Sequence, residues 1–185
     1  HDYNPSVPEN LAWGYLTALF HDRSGILWIG TSRGLNKLDK RKQYFKTYRQ
    51  FPNLKYNLTD NVYALLQDEE GIIWLGTDGR FLHRFNPATN RFQEIGHPND
   101  RNAELGLYAL LALKDELFLG TQQGGLVSYN KKSGMIKQLI PPPTDIQTLG
   151  ISAVRYDQKR NSIWIGWFGA GVKQYNLETH QLTEY

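Results

Sequence analysis

The chain has 185 residues, of which 40% are hydrophobic, 13% aromatic and 21% charged, and its formal net charge is +3 at pH 7. This composition is typical of a folded chain with a sizeable core and excludes a disordered one. The lack of cysteine excludes disulfides, thiol catalysis and a cysteine-based zinc site, and the scattered basic residues form no patch of the kind that binds nucleic acid.

A short apolar motif dominates the sequence and occurs four times. Its copies are ILWIGT at 26–31, IIWLGT at 72–77, ELFLGT at 116–121 and SIWIGW at 162–167. The aromatic residue of the motif, at positions 28, 74, 118 and 164, recurs every 44 to 46 residues. A fixed period of this length predicts an array of structural repeats.

In chain order, each repeat predicts four short strands, which we name A to D. Strand A contains an alanine, within TALFHD, YALLQD, YALLAL and SAVRYD. Strand B is the apolar motif, and its continuous hydrophobicity is typical of a strand buried on both faces. Strand D carries a spaced pair of apolar residues. Strand C ends in a polar residue in every repeat: Asp39, Asn86, Asn130 and Asn176.

The residues between the strands predict tight turns. Gly25 and Gly71 are expected to supply the left-handed residue of the A–B hairpin, and Asn161 is expected to do so in the fourth repeat. The polar residue that ends strand C is expected to open the C–D hairpin as an Asx-turn. The strand A alanine is expected where neighbouring sheets converge, and the strand B glycine is expected to relieve the backbone at the entry to the B–C loop.

Four antiparallel strands repeated about every 45 residues predict an all-β fold of β-propeller blades. We expect a single propeller domain over 1–185, with blades at about 11–51, 58–96, 105–140 and 149–185. A β-sandwich with accidental self-similarity is the disfavoured alternative, because seven positions recur in all four repeats. The four blades are either part of a larger propeller of the seven-bladed type, which we favour, or a complete four-bladed ring.

The first two repeats carry D-x-x-G-I-L-W-I-G-T from Asp22 and D-x-x-G-I-I-W-L-G-T from Asp68. This run, followed by strand C and the phenylalanine of strand D, resembles the two-component-regulator propeller repeat. The third and fourth repeats lack the D-x-x-G turn and diverge further. The resemblance implies the periplasmic sensor region of a bacterial hybrid two-component histidine kinase receptor, a family whose members respond to breakdown products of complex polysaccharides.

The same resemblance implies which partners to expect. It implies an oligosaccharide or polysaccharide ligand, a receptor homodimer, and contact with a membrane only through the parent receptor. No apolar run in the chain approaches the ~20 residues needed to cross a bilayer. The exposed faces of the first and last blades of an open arc also predict self-association.

The sequence carries no recognisable catalytic pattern. Its five histidines have no metal-ligand spacing, no glycine-rich phosphate loop precedes a helix, and no acidic residue recurs at one loop position in every repeat. We therefore expect no enzyme activity, no catalytic residue, no cofactor and no metal. A propeller lyase or hydrolase is the third alternative, after a ligand sensor and a structural or dimerisation scaffold without its own ligand site.

Ligand binding is expected at the end of the blades where the B–C and the long D–A loops emerge. Variable loops on a rigid scaffold usually carry recognition, and aromatic rings with planar polar groups suit sugars, which have apolar faces and many hydroxyls. The candidate ligand-binding residues are Trp13, Tyr15, Arg33, Arg80, Gln123, Trp167 and Phe168.

The fourth repeat departs from the others at the end of strand B. Trp167 replaces the threonine found at Thr31, Thr77 and Thr121, and Phe168 follows it. A threonine at this position fits the strand and can cap the B–C loop. We expect at least one of the two aromatic residues to be solvent-accessible and to bind a ligand or partner. The alternative is that Trp167 fills a gap beside a neighbouring blade.

Overall fold

The computed structural model describes residues 14–39, 44–48, 61–77, 82–95, 106–122, 125–142 and 150–185. Within these ranges the chain forms sixteen β-strands and no helix. The strands make four four-stranded antiparallel sheets, each built from strands that are consecutive in the sequence. The predicted all-β fold of propeller blades is therefore confirmed.

The chain divides into two compact units, His1–Gly96 and His97–Tyr185. The first unit holds blades 1 and 2, and the second holds blades 3 and 4. Blade 1 consists of β1 (Leu16–His21), β2 (Leu27–Thr31), β3 (Gly34–Asp39) and β4 (Tyr44–Tyr48). Blade 2 consists of β5 (Val62–Gln67), β6 (Ile73–Thr77), β7 (Leu82–Asn86) and β8 (Arg91–Glu94).

Blades 3 and 4 have the same strand order. Blade 3 consists of β9 (Leu107–Leu113), β10 (Glu116–Thr121), β11 (Leu126–Asn130) and β12 (Ile136–Ile140). Blade 4 consists of β13 (Ile151–Asp157), β14 (Ser162–Trp167), β15 (Gly171–Asn176) and β16 (Leu182–Glu184). Because neighbouring strands are antiparallel, the A–B and C–D turns of a blade lie at one end and its B–C turn lies at the other.

A glycine on strand B faces an alanine on strand A in every blade. The register of strand A shifts by one residue just before this alanine, so a β-bulge recurs at the same place. A bulge strengthens the local twist and re-aims the strand. The facing pairs are Ala18 with Gly30, Ala64 with Gly76, Ala109 with Gly120, and Ala153 with Gly166.

In blades 1 and 3 the strand B glycine is required for close packing against the next blade. A Cβ atom on Gly30 would lie 2.8 Å from the carbonyl oxygen of Val62 in blade 2, and one on Gly120 would lie 2.6 Å from Cγ2 of Ile151 in blade 4. Neither glycine has a positive φ. The expectation that this glycine relieves the backbone at the B–C loop is therefore wrong, because it makes room for the next blade.

The predicted left-handed residues of the A–B turns are confirmed. Gly25 has a φ of 83°, Gly71 a φ of 81° and Asn161 a φ of 45°. In blade 3 the shortened turn uses Lys114 with a φ of 53°. A non-glycine residue in this region carries a steric cost, which glycine avoids in blades 1 and 2.

The predicted Asx-turns after strand C are present in blades 2, 3 and 4. The side-chain oxygen of each asparagine accepts a hydrogen bond from the backbone N–H two residues later, which is the geometry that mimics a backbone turn. The corresponding side chain of Asp39 lies outside the described part of the chain. The N–H groups of Ala88, Lys132 and Glu178 lie 2.9, 3.1 and 2.9 Å from Oδ1 of Asn86, Asn130 and Asn176.

Candidate functional site

The described residues form no cluster typical of a metal centre. No group of three or more His, Asp or Glu side chains among them is placed to hold a metal ion. No helix in the described part of the chain is long and apolar enough to cross a membrane.

Three of the seven candidate ligand-binding residues, Trp13, Arg80 and Gln123, lie outside the described residues. The other four lie at the B–C end of a blade, as the antiparallel strand order requires. Tyr15 and Arg33 belong to blade 1. Trp167 and Phe168 belong to blade 4.

Tyr15 and Arg33 are placed together by the B–C turn of blade 1. The backbone N–H of Tyr15 donates to Oγ of Ser32 at 3.0 Å, and the N–H of Ser32 donates to the Tyr15 carbonyl at 3.0 Å. Both the Tyr15 and the Arg33 side chains are exposed. The turn therefore presents a phenol ring and a guanidinium group on either side of one serine.

Threonine at the end of strand B caps the B–C turn, as its sequence position predicted. The hydroxyl of Thr31 donates to the Gly34 carbonyl at 3.1 Å and accepts from the N–H of Arg33 at 3.2 Å. The Thr121 hydroxyl donates to the Gly125 carbonyl at 2.9 Å. These bonds fix the turn that carries Arg33.

Trp167 and Phe168 have different environments. Trp167 is 4% exposed and packs with the core of the second unit, whereas Phe168 is 57% exposed. The ammonium group of Lys173 lies 5.0 Å from the centre of the Trp167 ring, within the range of a cation–π interaction. The expected exposure of at least one of the pair is found at Phe168, and the burial of Trp167 favours its alternative role in packing. Ligand binding by either residue stays a prediction.

The Trp167 indole N–H is buried without a hydrogen-bond partner among the described residues. The three threonines that occupy this position in the other blades are also buried, and Thr31 and Thr121 satisfy their hydroxyls within the turn. A buried donor without a partner costs about 1–3 kcal/mol. In blade 4, Trp167 therefore buries more apolar surface than a threonine would, but the B–C turn lacks the hydroxyl that caps it in blades 1 and 3.

A carboxylate–indole pair recurs in three blades and was not recognised as a pair from the sequence. The indole N–H of Trp28 donates to Oδ2 of Asp22 at 2.8 Å, and Trp74 donates to Asp68 at 2.8 Å. In blade 4 Trp164 donates to Asp157 at 3.3 Å. The signal in the sequence was the fixed D-x-x-G-x-x-W spacing in the first two repeats, which we had interpreted only as a turn followed by a buried strand.

The same aspartate also closes the A–B turn. Oδ1 of Asp22 accepts from the N–H groups of Ser24 and Ile26, each at 2.9 Å. Burial raises the pKa of the Asp22 carboxyl, but the hydrogen bonds from Trp28, Ser24 and Ile26 outweigh burial and hold that pKa below its usual value. All these groups lie within one blade, so this aspartate has a structural role.

Blade 4 also bears an open polar hollow of about 370 Å³ at its A–B and C–D end. Four of its side chains are already engaged in hydrogen bonds. Arg160 bonds Asp157, and Gln174 bonds both Ser162 and Tyr185. Asn176 accepts from the N–H of Glu178, and the Thr179 hydroxyl accepts from the N–H of Gln181. No sequence pattern predicted this hollow, because side chains from separate turns and strands meet there. It is lined by Arg160, Gln174, Asn176, Thr179, Gln181 and Thr183.

Two segments of the chain, residues 10–33 and 58–79, match the family model described as two component regulator propeller. Each segment spans strand A, the A–B turn and strand B of one blade, with its carboxylate–indole pair. No curated protein sequence is significantly similar to the chain.

Several solved structures with the same fold come from Bacteroides thetaiotaomicron. The extracellular domain of BT3049, described as a hybrid two component system, has a TM-score of 0.79 and 22% identity over 98% of this chain and 25% of that chain. The extracellular domain of BT4673, described likewise, has a TM-score of 0.69 and 21% identity over 89% of this chain and 22% of that chain. An auxiliary nutrient binding protein has a TM-score of 0.64 and 14% identity over 93% of this chain and 41% of that chain.

Proposed function

We propose that the chain is a segment of the extracytoplasmic sensor of a hybrid two-component receptor, because two of its segments match the two component regulator propeller model. Two similar structures, each an extracellular domain of a protein described as such a system, support this assignment. The chain spans 22–25% of their length. The histidine kinase and regulator functions would belong to other parts of the parent receptor.

We further propose that the segment works in the periplasm and binds a carbohydrate, either an oligosaccharide or a fragment of a polysaccharide. The observation that carries the ligand class is the exposed pair of Tyr15 and Arg33 on one capped turn. A phenol ring can stack on the apolar face of a sugar, with a gain on the order of 1 kcal/mol if aromatic pairs are a guide. The guanidinium offers a planar set of donors to neighbouring hydroxyls.

Phe168 extends the proposal to blade 4, where it is the exposed aromatic residue of the B–C turn. The turn closes through its backbone, because the N–H of Ala170 donates to the Trp167 carbonyl at 3.0 Å. The ring is therefore held on a short, fixed loop, which reduces the entropy lost on binding. We propose that binding is not followed by turnover, because no acidic residue recurs at one loop position in the repeats.

The test measures binding of the whole chain to fractionated polysaccharide digests by isothermal titration calorimetry. Tyr15→Ala and Arg33→Ala are each expected to weaken binding about tenfold, which corresponds to about 1.4 kcal/mol. Met135→Ala is the matched control, since this exposed apolar side chain lies in the C–D turn of blade 3. Unchanged affinity in both variants, or release of new reducing ends from the digest, contradicts the proposal.

The second candidate is a scaffold that joins receptor chains without its own ligand. The observation in its favour is the exposure of apolar side chains on strand A of blade 1, at Leu16 and Leu19. A glycan array with no bound sugar, together with concentration-dependent association of the chain, would favour the scaffold over the sensor.

A further inference from the structure

The turn that follows strand B is hydrogen-bonded to the start of strand A in the same way in three blades. The first residue after strand B donates its backbone N–H to the carbonyl of the residue that precedes strand A. The three side chains therefore start from equivalent, fixed positions at the B–C end of their blades. The donors are Ser32, Gln122 and Phe168, and their acceptors are Tyr15, Gly106 and Gly150, at 3.0, 2.9 and 2.9 Å.

Within the second unit, Gly150 brings two of these positions together. A Cβ atom on Gly150 would lie 2.2 Å from the carbonyl oxygen of Gln122 and 2.4 Å from its Cα, so only a glycine allows this approach. Gly150 also has a φ of 91°, in the region that glycine adopts without a steric cost. Gly150 therefore contacts the backbone of Gln122 in blade 3, while its carbonyl binds the N–H of Phe168 in blade 4.

The side-chain amide of Gln122 has no hydrogen-bond partner among the described residues. The other two half-buried glutamines in the described ranges, Gln67 and Gln174, both use their amides. Gln67 accepts from the N–H of Arg23 at 3.2 Å. Gln174 donates to the Ser162 hydroxyl at 2.7 Å. Half-buried polar groups gain from a partner, so the Gln122 amide has donors and an acceptor to offer another molecule.

Phe168 adds an exposed ring at the same junction, with 57% of its surface accessible. It lies beyond the end of strand B, in the B–C turn. This position stays accessible where another blade follows. Its equivalents Ser32 and Gln122 are only partly buried, although blades 2 and 4 follow them within the same unit. The accessibility of the ring is therefore a property of the turn position.

We propose that Gln122 and Phe168 bind one sugar residue of the carbohydrate ligand, in a subsite that bridges blades 3 and 4. The inference rests on the proposed function of the chain as a carbohydrate sensor. The Phe168 ring stacks on the apolar face of a pyranose, as aromatic rings do on other flat apolar groups. The Gln122 amide carries an acceptor and a donor side by side, so it accepts from one hydroxyl and donates to its neighbour.

The test is a calorimetric titration with the polysaccharide digest fraction that binds the unaltered chain best. Phe168→Ala is expected to weaken binding about tenfold. Gln122→Ala is expected to weaken it about threefold to tenfold, which corresponds to hydrogen bonds between neutral groups. Neither side chain is buried, so the melting temperature is expected to stay unchanged. Gln158→Ala is the matched control, since this exposed glutamine lies in the A–B turn of blade 4, at the opposite end.

A double variant tests whether the two side chains hold the same sugar residue. If they do, the loss of one contact loosens that residue, so the combined change is expected to weaken binding by less than the product of the two single losses. Losses that multiply overturn the shared subsite. Unchanged affinity in Gln122→Ala or Phe168→Ala, while Tyr15→Ala binds weakly, overturns this inference and leaves the carbohydrate sensor standing. An unaltered chain that binds no fraction overturns both.

Discussion

The indole N–H of Trp28 donates a 2.8 Å hydrogen bond to the carboxylate of Asp22, six residues earlier in the chain. The bond crosses the A–B turn and ties strand B to the residue that opens the hairpin. Asp22 and Trp28 are both buried, so the carboxylate is satisfied within the blade by the indole and by turn N–H groups. The pair links the sequence motif of the repeat to the geometry of its first hairpin.

Replacing Asp22 with Ala is expected to destabilise the chain by about 2–4 kcal/mol, because the Trp28 indole and two turn N–H groups lose their acceptor. Asp157→Ala is expected to cost less, since its bond to Trp164 is longer, at 3.3 Å, and Trp164 is only partly buried. Urea denaturation of both variants measures the difference. Equal losses for the two variants would show that the indole bond contributes little.

The pKa of Asp22 gives the chain a defined acid sensitivity. Because this pKa is lower in the folded than in the unfolded chain, the unfolded state binds the proton more readily. The stabilisation is complete above the unfolded value and is expected to disappear as the pH falls below about 4. Chemical denaturation from pH 7 to pH 2 measures this loss, and Asp22→Asn is expected to flatten its slope.

Glycine-to-alanine changes at two equivalent positions provide a matched pair. Gly120→Ala places a methyl group 2.6 Å from Ile151 and is expected to cost about 1–3 kcal/mol. Gly166→Ala meets Ala153 of its own strand pair first, at 3.3 Å, and is expected to change stability by less than about 0.5 kcal/mol. Thermal unfolding of the two variants compares them. A larger loss at Gly166 would show that the glycine is needed by the strand and not by the next blade.

Two substitutions separate the packing and polar properties of Trp167. Trp167→Thr removes a buried ring and is expected to cost about 3 kcal/mol or more. Trp167→Phe keeps a ring and removes the unpartnered N–H, so the cost of its smaller volume is expected to be offset by about 1–3 kcal/mol. Melting temperatures measured alongside carbohydrate binding decide the role of the residue. Lost binding at an unchanged melting temperature in Trp167→Thr would assign it to a ligand site.

The strands, their order and their turns were predictable because short sequence patterns within each repeat specify them. Gly25, Gly71 and Asn161 occupy left-handed positions, and a left-handed backbone strongly restricts which residue types fit. The Asx-turns at Asn86, Asn130 and Asn176 follow from the reach of one short side chain. These features depend on residues only two to five positions apart.

The features that the sequence did not reveal depend on packing across the sheets. The environment of Gly30 is set by Val62, which is 32 residues later in the chain. This distant contact leaves no local sequence pattern, so we explained the glycine by a backbone role at the B–C loop. Trp167 and Phe168 are adjacent, yet one is buried and the other exposed, because the strand ends between them. The polar hollow of blade 4 gathers side chains from separate turns and strands, and no spacing rule marks it.

The facing alanine and glycine of each blade have a consequence for how such chains change over evolutionary time. Val62 in one unit and Ile151 in the other make this contact with equivalent partners, so the join within each unit has the same form. A duplicated or deleted stretch of about 45 residues restores the same join and leaves the remaining repeats intact. Recombination within the gene is therefore expected to lengthen or shorten the array in whole repeats.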